Sequence, residues 1–93
     1  MIRSFKNKMT ERVAESESSK GFPADLVRVS FRKLRQLHAA EELRDLASPP
    51  GNRLEALKDD RAGQHSIRIN DQWRICFIWS EGGADEVEIV DYH

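Results

Sequence analysis

The chain is poor in most of the features that announce a function. It has one cysteine, Cys76, which cannot close an internal disulfide. A disulfide-built secreted scaffold is therefore excluded, and a reducing, cytoplasmic setting is the expectation. Three prolines and five glycines are too few for a Pro/Gly-rich fibrous or low-complexity chain. No apolar run approaches the roughly 18 residues of a membrane span, so no membrane partner is expected. The opening Met1-Ile-Arg-Ser-Phe-Lys6 lacks the apolar stretch of a secretion signal. Charge of one sign is also missing: fifteen Lys/Arg stand against sixteen Asp/Glu, a net charge of −1, which argues against a uniformly basic nucleic-acid coat. No Cys/His spacing suggests zinc, no Gly-rich loop suggests nucleotide binding, and no serine elbow is present. Neither a metal nor a cofactor is expected.

What is present is enough for one small core. The 93 residues are 39% hydrophobic and include two Trp and four Phe, so the chain is expected to fold as one domain over residues 1–93. The near-zero net charge conceals an asymmetry. Residues 1–48 carry ten Lys/Arg and seven Asp/Glu, a balance of +3; residues 49–93 carry five and nine, a balance of −4.

The pattern along the chain changes period once. Ile2 to Phe5 reads as a short strand. Asn7 to Ser18 reads as a polar helix with Met9 and Val13 on a thin apolar stripe. After a break at Ser18–Gly21, Pro23 suits the first turn of a helix. Leu26, Val27, Phe31, Leu34, Leu37, Leu43 and Leu46 then recur at three- and four-residue spacing, which predicts one long amphipathic helix to about Ala47. Ser48-Pro-Pro-Gly-Asn52 ends it. Beyond that point the period is two: Ser66–Asn70, Trp73–Trp79 and Glu86–Tyr92 read as strands, with a turn over Ser80–Asp85. The expectation is an α+β fold, an N-terminal strand and two helices packed on a C-terminal antiparallel sheet.

Strand parity goes further. Ile67 and Ile69 should face the helices, as should Trp73, Ile75, Phe77 and Trp79. Paired residues share a face, so the simplest hairpin has a loop of Asn70-Asp71-Gln72, with Ile69 opposite Trp73 and Arg68 opposite Arg74. Like charges directly opposite cost about 0.2–1 kcal/mol. Two guanidiniums converging on one face suit an anion such as phosphate between them. On the last strand Val87 and Ile89 should face the core, which places Glu88, Val90 and Tyr92 on the face of Arg68 and Arg74, with His93 following. A plainer reading also fits: solvated arginines are common on an open sheet face, and Glu88 offers a partner. By the same reasoning Cys76 is a small packing residue, and His38 and His65 have no partner visible in sequence. Arg28, Arg32 and Arg35 lie at i, i+4 and i+7 on one helix face, a solvated stripe or a grip for phosphates.

Taken together, the run Arg53-Leu-Glu-Ala-Leu-Lys-Asp-Asp-Arg-Ala-Gly-Gln-His-Ser-Ile-Arg-Ile-Asn-Asp-Gln-Trp-Arg-Ile-Cys-Phe77 and the ending Val87-Glu-Ile-Val-Asp-Tyr-His93 closely resemble HigB, the plasmid-maintenance killer family within the RelE-like toxins. The opening Ile2-Arg-Ser-Phe-Lys6 fits as well, so the resemblance covers essentially the whole chain. It implies a RelE-like toxin fold and an endoribonuclease that cuts mRNA in the A site of the small ribosomal subunit. It also implies a HigA-like helix-turn-helix antitoxin, with operator DNA bound only through the toxin–antitoxin complex. It carries catalytic roles onto Lys58, Arg74, Asp91, Tyr92 and His93. Arg68 is carried over less directly, because relatives place an arginine on this strand or slightly after it. Arg61 joins Arg28, Arg32 and Arg35 as an expected RNA or ribosome contact. Asp59 stands where the family often carries Gly and adds a negative charge beside Lys58.

RNA can be cut without metal by its own 2′-hydroxyl attacking the adjacent phosphate. The protein then supplies a base, cations for the developing phosphorane charge, and an acid for the leaving 5′-oxygen. Only an imidazole has an unperturbed pKa near neutrality, which assigns acid/base work to His93. As the last residue of the sequence it carries the α-carboxylate, which should favour the imidazolium and a general-acid role. Tyr92 is expected to orient the nucleotide or stack on a base, Asp91 to orient His93 or hold a loop, and Lys58, Arg68 and Arg74 to hold the scissile phosphate. The other class of reading is a non-catalytic module that binds RNA or the ribosome without cutting.

Overall fold

A computed structural model describes residues 1–92 of the chain. Two α-helices, α1 (Lys8–Ala14) and α2 (Val27–Ala39), precede a four-stranded antiparallel sheet. Its strands are β1 (Glu55–Ala56), β2 (His65–Arg68), β3 (Trp73–Ser80) and β4 (Gly83–Asp91), in the spatial order β1-β2-β3-β4. Short 3₁₀ turns at Ala24–Leu26, Leu43–Ala47, Pro50–Asn52 and Asp59–Arg61 fill the connections. This is the expected α+β class. No helix among the described residues is long and apolar enough to cross a membrane.

The β2–β3 hairpin has the register that parity requires. Ile67 pairs with Ile75 and Arg68 with Arg74, and the Ile69 N–H donates to the Trp73 carbonyl at 2.9 Å. Asn70 shapes the turn, its Oδ1 accepting from the Gln72 and Trp73 N–H groups at 2.9 and 2.8 Å. Ile67, Ile69, Trp73, Ile75, Phe77, Val87 and Ile89 all face one buried layer, against Val13, Leu34, Leu37 and Leu46 from the helical half. Leu37 and Leu46 are fully buried, each worth about 1.5–3 kcal/mol relative to an exposed side chain. Phe22 meets Trp73 edge to face at 5.0 Å, and Trp79 is only partly buried at the core margin.

Three expected boundaries move. The predicted long helix breaks: α2 stops at Ala39, Ala40 is extended, and a 3₁₀ turn restarts over Leu43–Ala47. Asp45 causes the restart, because its carboxylate accepts the N–H groups of Glu41 and Glu42, both at 3.0 Å, in a reciprocal capping box with Glu42. The polar helix is shorter than Asn7–Ser18. Asn7 is its cap, accepting the Thr10 N–H at 2.9 Å, and the chain leaves the helix at Glu15 with Ser16 at a φ of +63°. The expected turn over Ser80–Asp85 contracts to Glu81-Gly82, so β4 starts at Gly83 rather than Glu86. A register shift between Cys76 and Ile78 marks a bulge, where Glu86 has a φ of +54°. The bulge lets Ala84 and Val87, three apart, both face the core.

The expected N-terminal strand is present only as two isolated parallel bridges to β4, Ile2 with Ala84 and Phe5 with Val87. Between them the bulge takes over: the Glu86 N–H donates to Ser4 Oγ at 2.9 Å instead of to a backbone carbonyl. Helix α1 is fastened to the same strand through buried Thr10, whose Oγ1 accepts the Ile89 N–H at 2.9 Å. A seven-residue helix is marginal alone, and this bond with the burial of Val13 holds it in place.

Candidate active site

The helices cover one face of the sheet, and part of the candidate set, Arg74 with Tyr92, Arg68 and Arg61, lies on the other. Its centre is Arg74 on β3. The side chain runs diagonally across β2 to β1: Nε–H donates to Ser66 Oγ at 2.7 Å, and Nη2 donates to the Arg53 carbonyl at 2.6 Å and lies 3.3 Å from Glu55 Oε1. The Tyr92 ring lies on another side of the guanidinium, 5.8 Å from centroid to Cζ, a cation–π distance. Arg74 is thereby only 11% exposed, whereas Tyr92 is 40% exposed. An aromatic face open to solvent next to a held cation can stack a base while the cation meets a phosphate.

The other expected site residues are placed less uniformly. Arg68 is opposite Arg74 in register, but the two guanidiniums do not share an anion site. Arg68 turns to the hairpin and pairs with Asp71, while Arg74 reaches the other way towards Glu55. Each relieves the like-charge pairing with its own carboxylate. Asp91, at the exposed end of β4, accepts from Gln72 Nε2 at 3.1 Å, and the Tyr92 N–H donates to the Gln72 carbonyl at 2.6 Å, so the β2–β3 hairpin loop fixes the start of the Asp91-Tyr92 segment. Lys58 is exposed between β1 and β2, and its side chain makes no hydrogen bond or ion pair with the described residues. Next to it Asp59 has a φ of +54°, the left-handed region that glycine enters freely, which gives the Gly-like position in that loop a backbone reason. His93 lies outside the described residues.

Arg61 belongs to the same sheet face. Its Nη1 donates to Gln64 Oε1 at 3.0 Å and sits 3.4 Å from Glu88 Oε1, which Lys6 also approaches at 3.9 Å. This charged layer covers Cys76. The thiol is fully buried, and burial pushes its pKa up against the lowering influence of Arg61, Arg74 and Lys6. Cys76 is thus a packing residue. Arg28, Arg32 and Arg35 are exposed along α2, on the helical layer rather than the sheet face, and Arg35 lies 5.8 Å over the Phe31 ring.

Four contributors were not singled out by the sequence: Ser66, Glu55, the Arg53 carbonyl and Lys33. Lys33 ties α2 to the Pro50–Asn52 turn that leads into β1. Its Nζ donates to buried Asn52 Oδ1 at 2.5 Å, and partial burial, then the nearby Arg32 and Arg68 guanidiniums, hold its ammonium below the usual lysine value. Of the four, Ser66 had a usable signal, a polar position on an alternating strand, diagonal to Arg74. Glu55 had none, because β1 is only two residues long.

A small α+β domain body with helices on one sheet face and a held arginine beside an open tyrosine on the other fits the RelE-like toxins. Residues 3–93 match the family described as the RelE-like toxin of type II toxin–antitoxin system HigB. The chain is 40% identical over 85 residues to Toxin HigB-1 of Vibrio cholerae, covering 90% of each chain. It is 36% identical over 94 residues to Endoribonuclease HigB of Proteus vulgaris, covering 100% of each. A third relative, an uncharacterized protein of Haemophilus influenzae, is 42% identical over 65 residues, 70% of this chain and 64% of the relative. The chain belongs to the HigB-like toxin family, and membership of a type II system implies an antitoxin partner.

Proposed function

We propose that the chain is an endoribonuclease that cleaves mRNA presented in the ribosomal A site, by attack of the 2′-hydroxyl on the adjacent phosphate without a metal. The observation that carries the proposal is the held Arg74 guanidinium beside the half-exposed Tyr92 ring, together with the likeness to Endoribonuclease HigB of Proteus vulgaris. In this reading Arg74 stabilises the developing phosphorane charge, and Tyr92 stacks on the nucleotide at the cut. Lys58, unpaired among the described residues, closes on the phosphate from the exposed loop, and Arg68 and Arg61 contact the flanking backbone. His93 supplies the proton to the leaving 5′-oxygen, and Asp91 positions the segment that carries Tyr92 and His93. Arg28, Arg32 and Arg35 dock on ribosomal RNA, and the antitoxin is a HigA-like helix-turn-helix protein that carries the complex to operator DNA.

One observation favours a weaker, purely binding role. Arg74, Arg68 and Arg61 each have a carboxylate within ion-pair distance, which an incoming phosphate must displace. The test is to map the 5′ ends of a translated message after adding the protein, with and without ribosomes. Discrete cuts on ribosome-bound message are expected, reduced about 10²–10³-fold by Arg74→Ala, the range for losing one oxyanion donor. Growth arrest without cuts would leave only the binding role.

A further inference from the structure

Ser66 is the most deeply buried member of the arginine cluster. It sits on β2 between Glu55 and Cys76 in register, on the face of the sheet that carries charge, yet it is fully buried. Its hydroxyl accepts the Arg74 Nε–H at 2.7 Å. Arginine carries about 2 kcal/mol of side-chain rotamer entropy, so a guanidinium on an open sheet would sample many positions. Two acceptors remove that freedom here. One is Ser66 Oγ, on a short side chain in a paired strand. The other is the Arg53 carbonyl, at a residue held in a left-handed turn (φ +45°) whose own N–H donates to the Pro50 carbonyl at 3.1 Å. Together they fix the Nε and Nη2 donors of one planar group. Nη1 makes no hydrogen bond with a described residue. Glu55 is a poorer anchor, because it is half exposed and its pairing is screened by solvent.

We propose that Ser66 is a positioning residue for phosphoryl cleavage: its buried hydroxyl holds the Nε edge of Arg74 so that Nη1 stays presented to the scissile phosphate. The proposal rests on the reading of Arg74 given above. Without the hydroxyl, the Nε–H loses a buried acceptor and the guanidinium turns towards the Glu55 carboxylate, away from the phosphate.

The variants are Ser66→Ala, which removes the acceptor without adding volume, and Ser66→Thr, which keeps it. Each is made in the native and the Arg74→Ala backgrounds, and single-turnover cleavage of ribosome-bound message is measured. Ser66→Ala is expected to lower the rate between about tenfold and a hundredfold, the scale of a misplaced catalytic group, with the half-saturating ribosome concentration unchanged. Ser66→Thr restores the rate, and Ser66→Ala has no further effect once Arg74 is gone. A second readout is independent of activity: in ¹⁵N-labelled toxin the Arg74 Nε–H should exchange slowly with solvent in the native and Ser66→Thr proteins and rapidly in Ser66→Ala. Equal losses from Ser66→Ala in both backgrounds, or a native cleavage rate in folded Ser66→Ala, overturns the positioning role. If Arg74→Ala alone cleaves at the native rate, the reading of Arg74 fails and the proposal falls with it, even if the Nε–H is protected.

Discussion

Replacing Asp59 by Asn should make the toxin bind its substrate more tightly. The loop holds Lys58, Asp59, Asp60 and Arg61, whose formal charges cancel. Lys58 is exposed and, among the described residues, has no hydrogen-bonding or ionic partner for its ammonium. An adjacent exposed carboxylate still weakens its attraction for phosphate. Exposed charge pairs are worth up to about 1 kcal/mol, so removing one charge gains at most about fivefold in affinity. Asn is the right replacement because the φ of +54° at Asp59 must be kept, and Asn tolerates the left-handed region. Asp59→Gly removes the same charge and also fits the backbone, but it adds unfolded-state freedom worth about 0.5–1 kcal/mol. The two variants should therefore match in cleavage and differ slightly in stability. The assay is the concentration dependence of cleavage on programmed ribosomes at two monovalent salt concentrations. The gain should shrink at the higher salt, because the Debye length falls below about 8 Å above physiological ionic strength. If Lys58→Ala impairs cleavage while Asp59→Asn leaves the low-salt affinity unchanged, the charge argument is wrong. A slower Asp59→Asn enzyme would show that the carboxylate itself assists the reaction.

Ser30→Ala should stabilise the fold by about 0.5–2 kcal/mol in urea denaturation, since the fully buried Ser30 Oγ has no partner among the described residues and Ala is the better helix former. A destabilised variant would mean that this hydroxyl is bonded in solution. Asp45→Ala should lose stability at neutral pH, and the deficit should shrink as pH falls below about 4. The N–H groups of Glu42 and Glu41 lower the Asp45 pKa, so its contribution is complete above the unfolded value and is lost as pH drops through the lower folded one. A pH-independent deficit would place the effect elsewhere. Cys76 should react with iodoacetamide at least about tenfold faster in urea than in the native state, because burial both raises its pKa and blocks access. Rapid native labelling would mean that the Arg61–Glu88 cover opens readily.

The legible part of this fold is the part governed by strict alternation. The register of Arg68 and Arg74 followed from keeping Ile67, Ile69, Trp73 and Ile75 on one side, because a one-residue slip would expose all of them. That Tyr92 shares a face with Arg74 followed from the same parity carried onto β4, and the structure brings the two into contact. Alternation failed where a single residue broke the period, at Glu86, whose left-handed backbone has no glycine to announce it. The helix break was hidden because Leu43 and Leu46 keep helical spacing across it, although Ala40 is extended between the segments. The direction of each guanidinium was hidden for another reason: a long side chain chooses among acceptors, and two of those around Arg74, the Arg53 carbonyl and Glu55, lie beside or on a strand of two residues.

Those directions alter what the near-zero net charge means. On the sheet face most cations are paired locally, Arg3 with Asp85, Arg74 with Glu55, Arg68 with Asp71, and Lys6 and Arg61 sharing Glu88. On α2, Arg28, Arg32, Lys33 and Arg35 have no ion-pair partner among the described residues. Long-range attraction for a polyanion therefore comes mainly from the helix rather than from the proposed site, since opposed exposed charges a few ångströms apart largely cancel beyond a Debye length. A free RNA strand that reaches the sheet must displace Glu55, Asp71 or Glu88 to gain Arg74, Arg68 or Arg61, and among the described site cations only Lys58 meets it unpaired. A substrate held by other contacts bears that cost without having to supply it from its own affinity. On the proposed reading, local compensation at the site and uncompensated charge on α2 divide the work: the helix finds a large RNA surface, and the sheet cuts only what that surface delivers.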